Sequence, residues 1–359
     1  MHKHLVMQRQ KVQCSKFIGI TIFNYPVTSQ KENIQSAFLE QIKKNLPANQ
    51  SFADELAELL TISRDSAYRR IRGETILSLE EVSILSRKFA VSVDAFLSPQ
   101  SEVATFQMRY FDDTAFSFEK WLRSILGSLD TFTAFPQQNK ELIYNAKDLP
   151  IFHYFQYPRL APFKIYFWML SFGRSKFNTS KYHPEEISKE LIEVGKKIWA
   201  RYAVIPSTEI LTVEILNITM RQIEYAHQCG MFIDKGEGKA LLEDCRHVAI
   251  HLKEQAVRGL KVTLGNDSNG GKYEVYLNDL IIGDNSVLFK LGEKRMAFIT
   301  PNGFNVLTTS QESFCKITEA NMENLKSKSV LISATAEKDR NRFFNSIEDR
   351  IVEMEGRLK

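Results

Sequence analysis

The stretch LAELLTISRDSAYRRIRG, Leu56 to Gly73, constrains the fold more than any other part of the chain. Its small, apolar and basic residues are spaced for two short helices meeting at a sharp turn, the form of a helix-turn-helix unit. Phe52, Leu56 and Leu59 make one stripe of the first helix, and Ala57 beside them lets a second helix cross closely. Thr61-Ile62-Ser63 breaks the run. Ser63 is an N-cap whose hydroxyl accepts from the amide of Asp65 or Ser66, and the helix it opens presents Arg64, Arg69, Arg70 and Arg72.

The flanks continue the pattern. Ile34, Phe38, Ile42 and Leu46 recur every fourth residue, and Pro47 stops the helix they define. Ser51 caps the next helix, with Asp54 and Glu55 in its first turn. Gly73 supplies a C-terminal stop, Ser78 caps a helix bearing Leu79, Val82, Leu85 and Phe89, and Ser92 caps a last turn ending in Phe96 and Leu97. Five helices are expected.

From Ile34 to Leu97 the chain resembles the DNA-binding domain of lambda-repressor and Cro-like (Xre-type) bacterial regulators. LAELL-TIS-R and SLEEVSILSRKFAVSVDAFL carry the likeness. Two positions depart from it: Thr61 stands where such domains often have Gly, and Arg70 where many bury an aliphatic side chain, so Ala67 and Ile71 are expected to supply the inner face. The resemblance implies double-stranded DNA as partner, a homodimer, and a second helix docked in the major groove. Geometry then divides the roles. Arg64, Ser66 and Arg69 are expected at base edges, and Ser51, Arg70 and Arg72 at phosphates, which give affinity and register but little sequence information.

Bulk charge does not decide the matter. From Lys31 to Asp94 nine Lys and Arg face ten Asp and Glu, and the whole chain carries a formal +4, so what distinguishes the segment is where its arginines sit. The competing reading is a protein-interaction module whose basic helix meets an acidic partner.

At 359 residues, with 43% hydrophobic and 25% charged, the composition is that of a soluble globular protein of more than one domain. Cys14, Cys229, Cys245 and Cys315 are scattered without a CxxC pair, which points to reduced thiols and a cytoplasmic setting. No apolar run reaches membrane-spanning length, so no membrane partner is expected. Residues 1–30 have a basic start and a short apolar patch but lack a small-residue cleavage site. They read as a disordered arm or a misassigned start.

Beyond Ser98 a larger region follows. Helices are expected over Phe116 to Phe132, Ala161 to Phe172, Pro184 to Tyr202, Ser207 to Gln228 and Lys239 to Arg258, with an extended segment over Glu141 to Tyr157. Tyr273 to Leu280, Val287 to Lys290 and Arg295 to Thr300 read as strands, before helices over Gln311 to Ser327 and Ala336 to Arg357. The expected fold class is therefore mainly α: the helix-turn-helix domain at 31–98, a large α-helical sensor or oligomerisation region at 99–260, and a small C-terminal α/β unit at 261–359.

The aromatic cluster of Phe152, Tyr154, Phe155, Tyr157, Tyr166, Phe167 and Trp168 reads as core. Its alternative is an apolar pocket for a small-molecule effector of unknown identity. Enzyme signatures are missing: there is no P-loop, GxSxG or HExxH, and the His251-Leu252-Lys253 start of a phospholipase D-like pattern meets Arg258 where an acid is needed. His227-x-Cys229 and Cys245-x-His247 have metal-ligand residue types, but residues two apart on a helix point to nearly opposite faces. No catalytic residue, metal or cofactor is expected.

Overall fold

Apolar residues at helical spacing build the first of two units into which the chain divides, Met1–Pro99 and Gln100–Lys359. The computed structural model describes residues 34–46, 50–89, 91–93, 96, 104–109, 117–134, 140–171, 181–279, 283, 285–301 and 305–358. The expected N-terminal arm lies outside them.

In the first unit α1 (Ile34–Asn45), α2 (Phe52–Leu60), α3 (Arg64–Ile71) and α4 (Leu79–Phe89) enclose a core of Phe38, Leu39, Ile42, Leu56, Ala67, Leu77, Leu85 and Val91. Most of the expected fifth helix falls outside the described residues, but Phe96 packs edge-on against Phe38 at 5.9 Å. Thr61 makes the α2–α3 turn in the left-handed region, φ 54°, its amide reaching the carbonyls of Ala57 and Glu58. The Ser63 hydroxyl accepts from the Ser66 amide at 3.2 Å. Ser78 and Glu81 form a reciprocal capping box, each side chain accepting from the other's backbone N–H. Ser51 makes no side-chain cap, although its position and extended backbone are those of an N-cap.

The second unit corrects the expected fold class. Nine strands among the described residues join one mixed sheet, so this unit is an α/β structure built on a large sheet and not a helical region with a small α/β appendage. The strands are β1 (Gln107–Arg109), β2 (Lys140–Asn145), β3 (Ser207–Leu211), β4 (Leu260–Thr263), β5 (Asn266–Leu277), β6 (Asn285–Leu291), β7 (Lys294–Thr300), β8 (Val306–Thr309) and β9 (Val330–Leu331). Their order is β1-β8-β7-β6-β2-β3-β5-β4, with β9 also on β5. β2, β3 and β5 run parallel, while β6, β7, β8 and β1 add an antiparallel meander. Residues on both sides of position 260 thus share one sheet.

The discrepancy is concentrated at β3. Ser207 begins a strand, not a helix, and the helix expected from there starts only at Asn217. All five residues of β3 are buried, so the strand lacks the alternation that would have marked it. The expected helix at Pro184 is likewise a short 3-10 turn, and Ser188 caps the α-helix that follows.

Seven helices of this unit are α5 (Phe118–Ala134), α6 (Leu160–Ser171), α7 (Lys189–Ala203), α8 (Asn217–Gln228), α9 (Glu237–Arg258), α10 (Glu312–Ser327) and α11 (Glu337–Arg357). Side-chain alternation separates the sheet's faces. Leu142, Tyr144, Phe289 and Val275 join the large core with α5 to α9 and α11, whereas Ile143, Ile210, Leu288 and Ala297 pack with Cys315 and Met322 of α10. Gly195 lets α7 close on the large core: a Cβ there would stand 2.3 Å from the Phe155 ring.

Candidate nucleic-acid interface

Helix α3 turns Ala67 into the core and leaves Arg64, Asp65, Tyr68, Arg69 and Arg72 on an exposed face. The charges are held by short surface contacts. Arg64 Nε lies 2.9 Å from Asp54 of α2, Arg72 Nε lies 2.6 Å from Glu74, and Arg69 Nε lies 3.8 Å from the same Glu74. The hydrogen bond to Glu74 raises the Arg72 pKa, and Glu74 is lowered in return. Exposed pairs of this kind add little stability and exchange readily for another anion. Arg64, Arg69 and Arg72 therefore present cations that a phosphate or a base edge can recruit.

Ser66 and Ser51 are less uniform. The Ser66 hydroxyl accepts from Ser63 Oγ at 3.0 Å and sits half-buried at the start of α3. Ser51 is exposed at the start of α2 with no cap bond on its hydroxyl.

Arg70 is corrected from phosphate contact to internal support. Its Nη2 donates to Glu81 Oε1 at 2.7 Å, its Nε reaches both Glu81 oxygens at 3.1 Å, and Nη1 donates to the Ser66 carbonyl at 3.3 Å. Both side chains are more than four-fifths covered. Burial pushes the Glu81 carboxyl up, but the Arg70 hydrogen bonds and the Ser78 amide outweigh it and leave the pKa lowered. A fork-to-carboxylate pair thus fills the place where many domains of the resembled kind bury an aliphatic side chain.

Two features escaped the sequence reading. Gln35 on α1 clamps the end of α3: its amide nitrogen donates to the carbonyls of Arg70 and Thr75, and its oxygen accepts from the Leu77 amide. Tyr68 is 39% exposed on the arginine face, with the Arg64 guanidinium 6.0 Å from its ring centre. The signal for Tyr68 was present, since an aromatic four residues after Arg64 and adjacent to the inward Ala67 must share the outward face.

The larger unit has a different kind of polar cluster. Glu209 on β3 is fully buried and accepts from His153 Nε2 at 2.8 Å, from Tyr273 at 2.5 Å and from the Tyr202 hydroxyl. Burial favours its neutral form, yet the His153 charge and these donors hold its pKa below the usual carboxylate range. Lys261 lies beside it, wholly buried, donating to the carbonyls of Tyr202 and Ile205 and to Ser207 Oγ. Burial drives the Lys261 pKa well down. Every member of the cluster is buried, and its hydrogen bonds tie β3 to its neighbours.

Cys229 is exposed and Cys245 buried, and among the described residues no group of three or more His, Cys, Asp or Glu is arranged to hold a metal ion. Among the same residues no helix is long and apolar enough to cross a membrane. No protein-family model matches the chain, nor does any curated protein or solved structure.

Proposed function

We propose that this protein is a sequence-specific DNA-binding transcription regulator that acts as a homodimer and carries an effector or oligomerisation region in its larger unit. The observation that carries the reading is the outward face of α3, where Arg64, Tyr68, Arg69 and Arg72 stand together on a short helix that follows a tight turn. In this reading Arg64 and Arg69 address base edges, Arg being suited to a bidentate contact with guanine. Ser51 and Arg72 meet phosphates, and Arg70 with Gln35 keeps α3 in place. Two copies then read half-sites about one helical turn, ~34 Å, apart.

The test is selection of bound sequences from a random duplex library with the full chain, repeated with Arg64→Ala, Arg69→Ala and Arg72→Ala. A shared, roughly two-fold motif should emerge. Arg69→Ala should relax it at one position of each half-site, whereas Arg72→Ala should weaken all sequences alike. Absence of any enriched sequence rejects the reading.

One observation favours a second reading, a protein-interaction module. Ile76 and Leu79, beyond the end of α3, are 83% and 84% exposed, an apolar pair suited to a protein surface. Preference for one DNA sequence separates the two readings; salt dependence does not, because both use the basic helix.

A further inference from the structure

The larger unit contains a cavity of about 500 Å³ between α5 and the sheet face formed by the end of β2 and strands β6 to β8. Its walls are mostly apolar and rich in aromatic rings: Trp121, Tyr144, Phe152, Trp168, Phe289 and Phe298 all line it. Three of the residues expected to form an aromatic core, Phe152, Tyr154 and Trp168, thus also border open space. The volume is that of a site for a small organic molecule.

Several of its polar groups offer acceptors. Ser124, Ser128 and Ser171 spend their hydroxyl hydrogens on carbonyls of their own helices, so each has lone pairs left to offer. Asp148 stands at the β2 end. Its Oδ2 is 3.7 Å from Lys164 Nζ, while its Oδ1 is buried with no hydrogen-bond partner. Lys164 is shared among partners: its ammonium also donates to Thr219 Oγ1 at 2.9 Å and Gln222 Oε1 at 2.8 Å. On the opposite wall Thr308 Oγ1 is also buried and unpartnered. Lys147, the other charged residue on the wall, is exposed.

We propose that this cavity is a binding site for a hydrophobic organic amine, its ring-bearing body held among the tryptophans and phenylalanines and its ammonium directed to Asp148. Asp148 is the acidic residue on the wall and pairs by charge with an ammonium, and aromatic walls favour a cation over an anion. The site does not depend on the DNA-binding reading, and its test is read without DNA.

The probes are 4-phenylbutylamine and 4-phenylbutyrate, matched in body and opposite in charge, titrated into the full chain by calorimetry and by tryptophan fluorescence. The amine should saturate one site per chain at least roughly tenfold more tightly than the carboxylate. Asp148→Asn should erase that preference, and Ile125→Trp, which fills the cavity from α5, should abolish binding of both probes with Asp148 intact. Equal or tighter binding of the carboxylate overturns the assignment. So does the absence of saturable binding of either probe at millimolar concentration, or amine binding unchanged in Ile125→Trp.

Discussion

The two units use ionisable residues in opposite ways. In the helical unit the arginines of α3 other than Arg70 lie at the surface, in exposed pairs with Asp54 and Glu74 that a competing anion can replace. In the larger unit Lys164, Lys261, Glu209 and His153 are buried, each with hydrogen-bond partners inside the fold. The same residue types thus serve contact in one place and architecture in the other. A buried, partnered charge is poor evidence of a site, because its removal leaves neighbours unsatisfied whether or not it acts on anything. An exposed arginine on a well-capped helix is the more informative observation, since it can be removed without disturbing the fold.

The largest effect that would break this comparison is at Glu209. Glu209→Gln keeps the shape but removes the charge that three donors address, and should cost about 3–5 kcal/mol of stability in the larger unit, measured by denaturant unfolding. Glu74→Gln on the surface should leave the unfolding midpoint where it was. A Glu209→Gln protein as stable as the parent would show that the cluster is not architectural.

Acid sharpens the contrast next. Burial first, and then the nearby His153 charge, lower the His251 pKa to about 4 from an ordinary 6.5. The unfolded chain therefore binds a proton that the folded chain refuses, so this stability is intact above about pH 6.5 and is lost as the pH falls toward 4. The expected loss is about 3 kcal/mol. Glu209, whose pKa is lowered, adds the same sign at still lower pH. The helical unit has no histidine among its described residues, and its lowered carboxyls, Glu74, Glu80 and Glu81, release stability only below about pH 4.5. Hydrogen exchange at pH 5 against pH 7 should show loosening in α9 around His251 while α1 to α4 keep their protection.

The same contrast governs how far each unit was legible. The helical unit could be read because its signals are local: apolar residues every three or four positions, and Ser63 and Ser78 at helix starts, where both hydroxyls do accept an amide of the first turn. The sheet was hidden because its signals are not local. β2 pairs with β6 more than 140 residues away, and β3, buried on both faces, contains Glu209, which in a linear reading belongs on a helix surface. Of the candidate interface, the arginine positions were legible but the inward turn of Arg70 was not, since nothing short of three dimensions reveals Glu81 across from it. The cavity escaped for a related reason: aromatic residues announce burial, not whether the space between them is filled.

Within the helical unit, Arg70 and Arg64 turn the comparison into a pair of variants six residues apart on one short helix. Arg70→Ala leaves Glu81 buried with only the Ser78 amide for company and should cost about 2 kcal/mol of stability. Arg64→Ala should leave the unfolding midpoint unchanged and act on DNA binding alone. If both variants lose stability together, the distinction between the inner and outer arginines of α3 fails.

The smallest effect concerns Thr61. A left-handed conformation costs a side chain with a branched β-carbon about 1–2 kcal/mol, and φ at Thr61 is 54°. Glycine takes that conformation without the clash but loses more entropy on folding, which returns part of the gain. Thr61→Gly should therefore stabilise the helical unit by about 0.5–1 kcal/mol, read as a higher unfolding midpoint with α2 and α3 unchanged. The amide of residue 61 still reaches the carbonyls of Ala57 and Glu58, because that bond belongs to the backbone and not to the threonine side chain. A lower midpoint would mean that the Thr61 side chain contributes more to the turn than its strain removes. The departure from glycine would then be a stabilising choice, and the α2–α3 turn would rest on side-chain as well as backbone contacts.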